Sequence, residues 1–287
     1  SSSRYRPRLR AAAGGLRSAL MDRHWTLDDI PWGRFDRSKV DPDLLCAMKA
    51  AALVEHNSGD YVTYLCNVFA DDPEFQAAAR AWGEEEVQHG RALARWAALA
   101  DPGFDLGAAL ERFTGNFRLP LDAKSSVRGS RAGELVARCV VEVGTSSFYS
   151  AVRDATPEPV LQAICQRIAG DEFRHFKLFL GFMRRYQAKA GLSRLKRLCV
   201  ALGRIEESDD DELASAYWAA NEAALPYDRR RHAAAYGWRA GRLYRFGHVR
   251  RGVSMVMKAC DFDPQGLAGK LATRAAWGLL NWRNRRF

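Results

Sequence analysis

The order of hydrophobic and polar positions is helical along most of the chain, and the alternation of a β-strand is sustained nowhere. Four long segments have recognisable ends. Each begins at a capping Asp, Ser or Thr, often followed by proline, and several end at a stop that contains Gly or Pro. The predicted helices are 41–70, 72–100, 130–155 and 156–190. The connection 101–129 has room for one short helix. Four long helices with one long connection predict an all-α fold, a four-helix bundle of the ferritin-like kind.

Helical patterns continue beyond the bundle, in "SRLKRLCVALGRIEES", "DDELASAYWAANEAAL" and residues 227–283. We therefore expect three regions. Residues 1–21, which are basic and without an acid, form a flexible arm. Residues 22–190 form the bundle with its lead-in, and residues 191–287 form additional C-terminal helices that pack on it.

Composition narrows the class of protein. The chain has 287 residues and 47% hydrophobic residues, which is typical of a globular protein. No apolar run approaches the length of a membrane span. The six cysteines are scattered without a C-x-x-C pair, which indicates reduced thiols and excludes a rubredoxin-type site. A cytoplasmic protein is expected, or one of an organelle stroma if the basic arm is a transit-peptide remnant.

Positive charge is concentrated at the C-terminal end. The formal net charge is +10, and residues 226–287 hold 14 Lys and Arg against three acids. Arg229, Arg230 and Arg231 are consecutive and are our candidate binding site for an acidic partner protein. An anionic membrane surface or RNA suits the same charge, and a solvated surface is the structural alternative.

Two short stretches repeat one chemical motif, a glutamate followed three residues later by a histidine. The first is Glu86-x-x-His89 in "AWGEEEVQHG", and the second is Glu172-x-x-His175 in "AGDEFRHFKL". Residues three apart share a helix face, so both side chains of each pair can reach one point. An isolated match of this kind is usually a solvated helix face.

A glutamate also precedes each motif at a matched distance. Glu55 lies 31 residues before Glu86, and Glu142 lies 30 residues before Glu172. In each case the predicted turn between two antiparallel helices falls about midway, so the two glutamates face each other across the helix pair. The chain therefore repeats its chemistry at one level of the predicted bundle.

Six side chains converge at that level: Glu55, Glu86, His89, Glu142, Glu172 and His175. Four carboxylates and two imidazoles are the ligand set of a dinuclear iron or manganese centre. Valines surround Glu142, and a carboxylate buried among them without a cation is costly or becomes protonated. Of the neighbouring acids, Glu84 is expected to be exposed, and Glu85 to be exposed or to support a ligand.

The two motif helices resemble those of a known family. "ARAWGEEEVQHGRAL" is similar to the second core helix of the soluble acyl-carrier-protein desaturases, with the pattern R-A-W-x-x-E-E-x-x-H-G. "IAGDEFRHF" resembles their fourth, with I-A-x-D-E-x-R-H. The resemblance covers residues 22–190 and does not extend to 191–287. It implies that the six side chains bind two iron ions, and manganese suits the same ligand types.

The resemblance implies roles for three further residues. Thr145, three residues after Glu142, matches a threonine beside the oxygen-binding side of the cluster. Asp171 matches an aspartate that orients a ligand histidine, here His89. Trp25, in "HWTLDDIP", resembles a tryptophan that passes electrons inward through that pair. A core or interface anchor is the structural alternative for Trp25.

In function, the resemblance implies an oxygen-dependent di-iron oxidase, a desaturase or hydroxylase of fatty-acid metabolism, that acts as a homodimer. Its substrate would be an acyl chain on an acidic acyl carrier protein, docked on the basic surface. Electrons are expected from an external donor such as a ferredoxin, since no dinucleotide-binding motif is present. Small and apolar residues could line a substrate channel or simply form core, namely Ala94, Ala97, Val143 and Phe148.

Two other functions stay open. One is a ferroxidase or peroxidase of the ferritin-like type, against which the missing rubredoxin cysteines and the long segment after the bundle both count. The other is a di-iron monooxygenase acting on a non-acyl substrate such as an aldehyde, an aryl amine, a lipid or a modified nucleoside.

Overall fold

The structure is a computed structural model that describes residues 24–207 and 211–285. Within these residues the chain is all-α, as predicted, and contains no strand. Three single-turn helices (Leu27–Asp29, Trp32–Arg34, Arg37–Lys39) come first. The α-helices that follow are α1 (Pro42–His56), α2 (Ser58–Val68), α3 (Pro73–Ala100), α4 (Leu106–Asn116), α5 (Arg131–Ala155), α6 (Pro159–Ala190), α7 (Arg194–Glu207), α8 (Asp211–Asn221), α9 (Arg229–Gly241), α10 (Phe246–Ala259) and α11 (Leu267–Asn284). The predicted basic arm, residues 1–21, lies outside the described residues.

Capping side chains determine where the long helices begin. Asp41, Asp72 and Ser130 each accept a hydrogen bond from the backbone N–H three residues further on. Such caps satisfy a donor that would otherwise be left without a partner at the helix start. Proline follows the two aspartates at the first helical position, as the sequence predicted.

Two predicted helices are corrected by the structure. The segment 41–70 is divided at Asn57 into α1 and α2, because the Asn57 backbone (φ −84°, ψ 12°) leaves the helical conformation and its N–H is shared between the carbonyls of Leu53 and Val54. Helix α6 begins at Pro159 rather than at 156–157. Its cap is Glu158, whose carboxylate accepts two backbone N–H groups of the first turn.

Short turns join α2 to α3 and α5 to α6, so the helices of each pair run antiparallel. Helices α1 and α2 pack against α3, α5 packs along α6, and α3 contacts α6 to bring the two hairpins together. The C-terminal helices lie outside: α8 packs on α1, α7 and α10 pack on α5, and α11 packs on α10. None of the described helices combines the length and apolar character that a bilayer crossing requires.

Two apolar clusters fill the space between the hairpins, and a polar layer separates them. Leu53 and Leu93 belong to the first cluster, and Leu65 and Phe75 belong to the second. Helices α3, α5 and α6 each contribute to both clusters, whereas α1 contributes to the first and α2 to the second. On α6, Ile168 lies in the first cluster and Phe176 in the second, and the predicted ligand Glu172 lies between them in the chain.

Candidate metal centre

The predicted ligand side chains meet in this polar layer. Four helices supply them: Glu55 from α1, Glu86 and His89 from α3, Glu142 from α5, and Glu172 and His175 from α6. None of the six is more than 6% exposed. The complete set predicted from the sequence is therefore brought together in the interior.

The ligand atoms form two overlapping groups that could each hold a metal ion. Glu55 and His89 belong to one group, Glu142 and His175 belong to the other, and Glu86 and Glu172 belong to both. Within each group one ligand atom from every member lies within 4.8 Å of the others.

Each of the two shared glutamates directs one carboxylate oxygen toward His89 and the other toward His175. Glu86 Oε2 lies 3.4 Å from His89 Nδ1, and Glu86 Oε1 lies 3.1 Å from His175 Nδ1. For Glu172 the corresponding distances are 3.2 Å from Oε1 and 3.8 Å from Oε2. This is the arrangement of two carboxylates that can bridge a pair of cations.

Carboxylates outside the ligand set hold both imidazoles. His89 Nε2 lies 2.9 Å from Asp171 Oδ2, and His175 Nε2 lies 3.0 Å from Glu85 Oε2. An ionised carboxylate only accepts hydrogen bonds, so each Nε2 carries the proton and each Nδ1 is free to bind a cation. Glu85 therefore supports a ligand, one of its two predicted roles, and Glu84 is exposed as predicted.

Several buried atoms of the site have no hydrogen-bond partner. They are Nδ1 of His89 and of His175, and Oε1 of Glu142 and of Glu172. His89 and Glu142 belong to different ligand groups, so each group contains orphan atoms of this kind. Buried polar atoms are nearly always paired, so these orphans call for an additional bound group. Their types, two imidazole nitrogens and two carboxylate oxygens, fit a divalent cation.

The pKa shifts of the site also indicate that it suits a cation. Burial and the neighbouring carboxylates raise the pKa of Glu55 and of Glu142 well above the ordinary value. Burial alone would lower the pKa of His89 and of His175, but the carboxylates that surround each ring raise both well above the ordinary value. Without a cation the cluster therefore retains protons.

The predicted partners of His89 are in contact with it. Trp25 Nε1 donates to Asp171 Oδ2 at 2.7 Å, and the Trp25 ring stacks on the His89 ring with centroids 5.9 Å apart. Arg174 donates to Asp171 at 2.9 Å and to Glu85 at 3.1 Å, so one guanidinium joins the two supporting carboxylates.

One face of α5 presents a row of polar side chains to the site. Thr145 Oγ1 donates to Glu172 Oε2 at 2.6 Å, and the Tyr149 hydroxyl donates to Glu55 Oε1 at 2.5 Å. Sequence reasoning missed Tyr149 and also Arg138, although 138, 142, 145 and 149 follow the spacing of a single helix face. That spacing, measured from Glu142, was the signal that could have found them.

Two glycines of the first motif allow α1 and α2 to approach α3. A Cβ on Gly90 would lie 2.7 Å from the backbone nitrogen of His56, and one on Gly83 would lie 2.3 Å from Val62 Cγ2. These glycines lie on either side of Glu86 and His89. Close backbone approach at Gly90 brings Glu55, the residue before His56, within reach of the other ligands.

A cavity of about 60 Å³ borders the ligands. The four ligand glutamates and Thr145 form one part of its wall, and the rest includes the side chains of Ser58, Tyr61, Trp82, Arg138, Arg204 and Glu212. The predicted channel residues Ala94, Ala97, Val143 and Phe148 do not line it and lie in the two apolar clusters. They are core, which was the alternative interpretation.

The other predicted binding residues lie on a helix that supplies no ligand. Arg229, Arg230 and Arg231 are exposed and form the first turn of α9. Arg231 pairs with Glu222 at 2.6 Å. Arg229 and Arg230 are the more available of the three to a partner.

Comparison with known proteins adds no identification. No family model matches this chain, and no curated protein sequence matches it either.

Proposed function

We propose that this protein is a ferritin-like di-iron enzyme that uses dioxygen to oxidise an organic substrate. The overlap of the two ligand groups carries the proposal, because two glutamates shared between two Glu/His sets suit a pair of cations better than one. Carboxylate-rich sites with imidazole ligands suit iron, and manganese accepts the same ligands. Bound there, two ferrous ions would supply two of the four electrons that the reduction of dioxygen takes, and the oxidised substrate would supply the other two.

Other residues of the chain would orient the ligands, hold protons and offer a path for electrons. Asp171 and Glu85 hold a proton on each Nε2, which fixes the orientation of His89 and His175. Thr145 holds its hydroxyl proton against Glu172 Oε2 at the cavity wall. The stacked and hydrogen-bonded Trp25 offers electrons a path to His89 through Asp171.

The substrate and partners rest on the resemblance alone. Three points stay predictions. The substrate is an acyl chain on an acidic carrier protein docked at Arg229 and Arg230, the electron donor is of the ferredoxin type, and the protein is a homodimer. An external donor is needed because a single turnover consumes the electrons of both iron ions.

The test is anaerobic loading with ferrous ion followed by exposure to dioxygen, with acyl carrier thioesters and short free acids as candidate substrates. We expect two iron ions per chain and organic product formed in step with dioxygen uptake. Oxidation of many ferrous ions per chain without organic product would identify a ferroxidase instead. Failure to bind a second iron ion would refute the dinuclear assignment.

A further inference from the structure

Arg138 is a buried cation in the cavity beside the ligands. It is 5% exposed and lines the cavity together with Glu142, which lies four residues further along α5. Its guanidinium lies 4.7 Å from the ring centroid of Tyr61 and 5.5 Å from that of Trp82. The two aromatic rings hold it in place by cation–π contact.

Acidic residues line the same cavity, but none of the described ones pairs directly with this charge. Within residues 24–207 and 211–285, Arg138 forms neither an ion pair nor a hydrogen bond, whereas buried charges are normally paired. Glu142 and Glu212 line the same cavity without forming an ion pair with Arg138, and the Glu212 carboxylate accepts the hydroxyl of Tyr61 at 2.8 Å. A guanidinium that is buried without an acceptor destabilises the fold. A residue that binds an anionic ligand is expected to be unpaired in this way until the ligand arrives.

The size of the cavity limits that ligand. A water-sized group needs about 10–15 Å³ of such space, so there is room for about four to six groups of this size. Pockets for drug-sized ligands are larger, at about 300–1,000 Å³. The cavity at about 60 Å³ therefore suits a small molecule rather than a long chain.

We propose that Arg138 binds the carboxylate of a small organic acid that is the substrate of the metal centre. The forked N–H groups of a guanidinium match the two oxygens of a carboxylate. An offset of four residues along α5 corresponds to a rise of about 6 Å, so the carbon chain of an acid held there reaches the level of Glu142 and Glu172. A dianionic phosphate would face the carboxylate of Glu212 and fits less well.

This inference rests on the proposed oxidase and names its substrate class. A carrier thioester has no free carboxylate to offer Arg138, so the cavity favours a free acid. The residue would be a binding residue that positions the carbon to be oxidised.

The experiment compares butyrate with butyramide, its uncharged isostere, by saturation-transfer NMR on zinc-loaded and on metal-free protein. We expect butyrate to bind at least about tenfold more tightly than butyramide, because one charge-assisted hydrogen bond contributes about that much affinity. Arg138→Met should abolish this preference, and Arg138→Lys should keep part of it because the charge remains. Arg184→Met, at an exposed arginine, is the matched control and should leave the preference intact.

Equal affinity for the two probes in the wild-type protein would overturn the proposal. So would a butyrate preference that survives in a folded Arg138→Met protein but needs zinc, since the acid would then bind the metal directly. Zinc content and melting temperature are measured for every variant, and Arg138→Lys decides if Arg138→Met does not fold. If the wild-type protein prefers butyrate to butyramide but binds no zinc, the metal assignment is contradicted and the proposed role of Arg138 is unaffected.

Discussion

The two ligand histidines have different surroundings although their motifs are the same. His89 is held by Asp171 and stacks against Trp25, whereas His175 is held by Glu85 and meets Trp82 edge-on at 6.5 Å. Only the first has an aromatic ring that also donates to its supporting carboxylate. The two candidate metal positions therefore have chemically different surroundings.

Replacing a supporting carboxylate by its amide should weaken one metal position. In Asp171→Asn the amide can donate to His89 Nε2, which then favours the proton on Nδ1 and blocks the ligand atom. We expect the metal affinity of that position to fall about 10–100-fold, and Glu85→Gln should do the same at His175. Calorimetric zinc titration measures both, and Glu84→Gln is the exposed control. Two unaffected sites in either variant would contradict the tautomer assignment.

The raised pKa values predict opposite pH trends for metal-free and metal-loaded protein. Above about pH 5 the unfolded chain has lost the carboxyl protons that Glu55 and Glu142 retain, and above about pH 6.5 it has lost those that His89 and His175 retain. The folded state then binds more protons than the unfolded state, so its unfolding free energy falls as pH rises.

Metal binding requires the deprotonated ligands, so zinc should stabilise the protein more as pH rises. Melting temperatures of the two forms, measured from about pH 5 to about pH 8.5, should therefore diverge. Parallel curves would show that the ligands do not exchange protons for metal.

At the scale of the helices, the close contact of α1 with α3 positions the site. Gly90 lies directly against the backbone of His56, and Ser58 Oγ donates to the carbonyl of Gly83 at 3.0 Å. The chain thus passes from α1 to α2 pressed against α3 on both sides of the first motif.

Gly90→Ala should disturb this approach. The new methyl group would meet backbone atoms that cannot rotate away, so we expect a loss of about 1–3 kcal/mol in unfolding free energy, together with weaker metal binding at Glu55. Gly144→Ala is the matched control: its Cβ meets nothing within 4 Å, and a gain of about 0.5–1 kcal/mol is expected from helix propensity. Urea denaturation with zinc titration measures both variants. An equally stable Gly90→Ala protein would contradict the close-contact argument.

The same helices show what could be predicted from the sequence. Caps and prolines are local signals, so the starts of α1, α3 and α5 were predicted correctly. The spacing of the motifs and of the glutamates that precede them was enough to predict which six side chains meet in the interior, and their role as metal ligands stays a prediction. The break at Asn57 was not predictable, because it accompanies tertiary packing on α3. Arg138 and Tyr149 were missed because their residue types do not indicate a metal site. The contact of Tyr61 with Glu212 joins residues 151 apart in the chain, and no local pattern reports it.

For the molecule as a whole, the basic residues of α9 face solvent. If an acidic protein docks there, Arg229→Glu with Arg230→Glu should weaken its binding, and the wild-type affinity should fall with added salt, since exposed charges are screened. Binding of an acyl carrier protein, measured by calorimetry at two ionic strengths, tests this. Arg184→Glu with Lys189→Glu is a charge-matched control on α6. Salt-independent binding would exclude electrostatic docking.

The division of the ligands between two hairpins also has a consequence for biosynthesis. The group around His89 includes Glu172, and the group around His175 includes Glu86. During translation, therefore, neither position is complete until the last turn of the second motif has left the ribosome. Chains that stall earlier carry only part of each ligand group, so a nascent polypeptide could not assemble the proposed metal centre before most of the fold that encloses it exists.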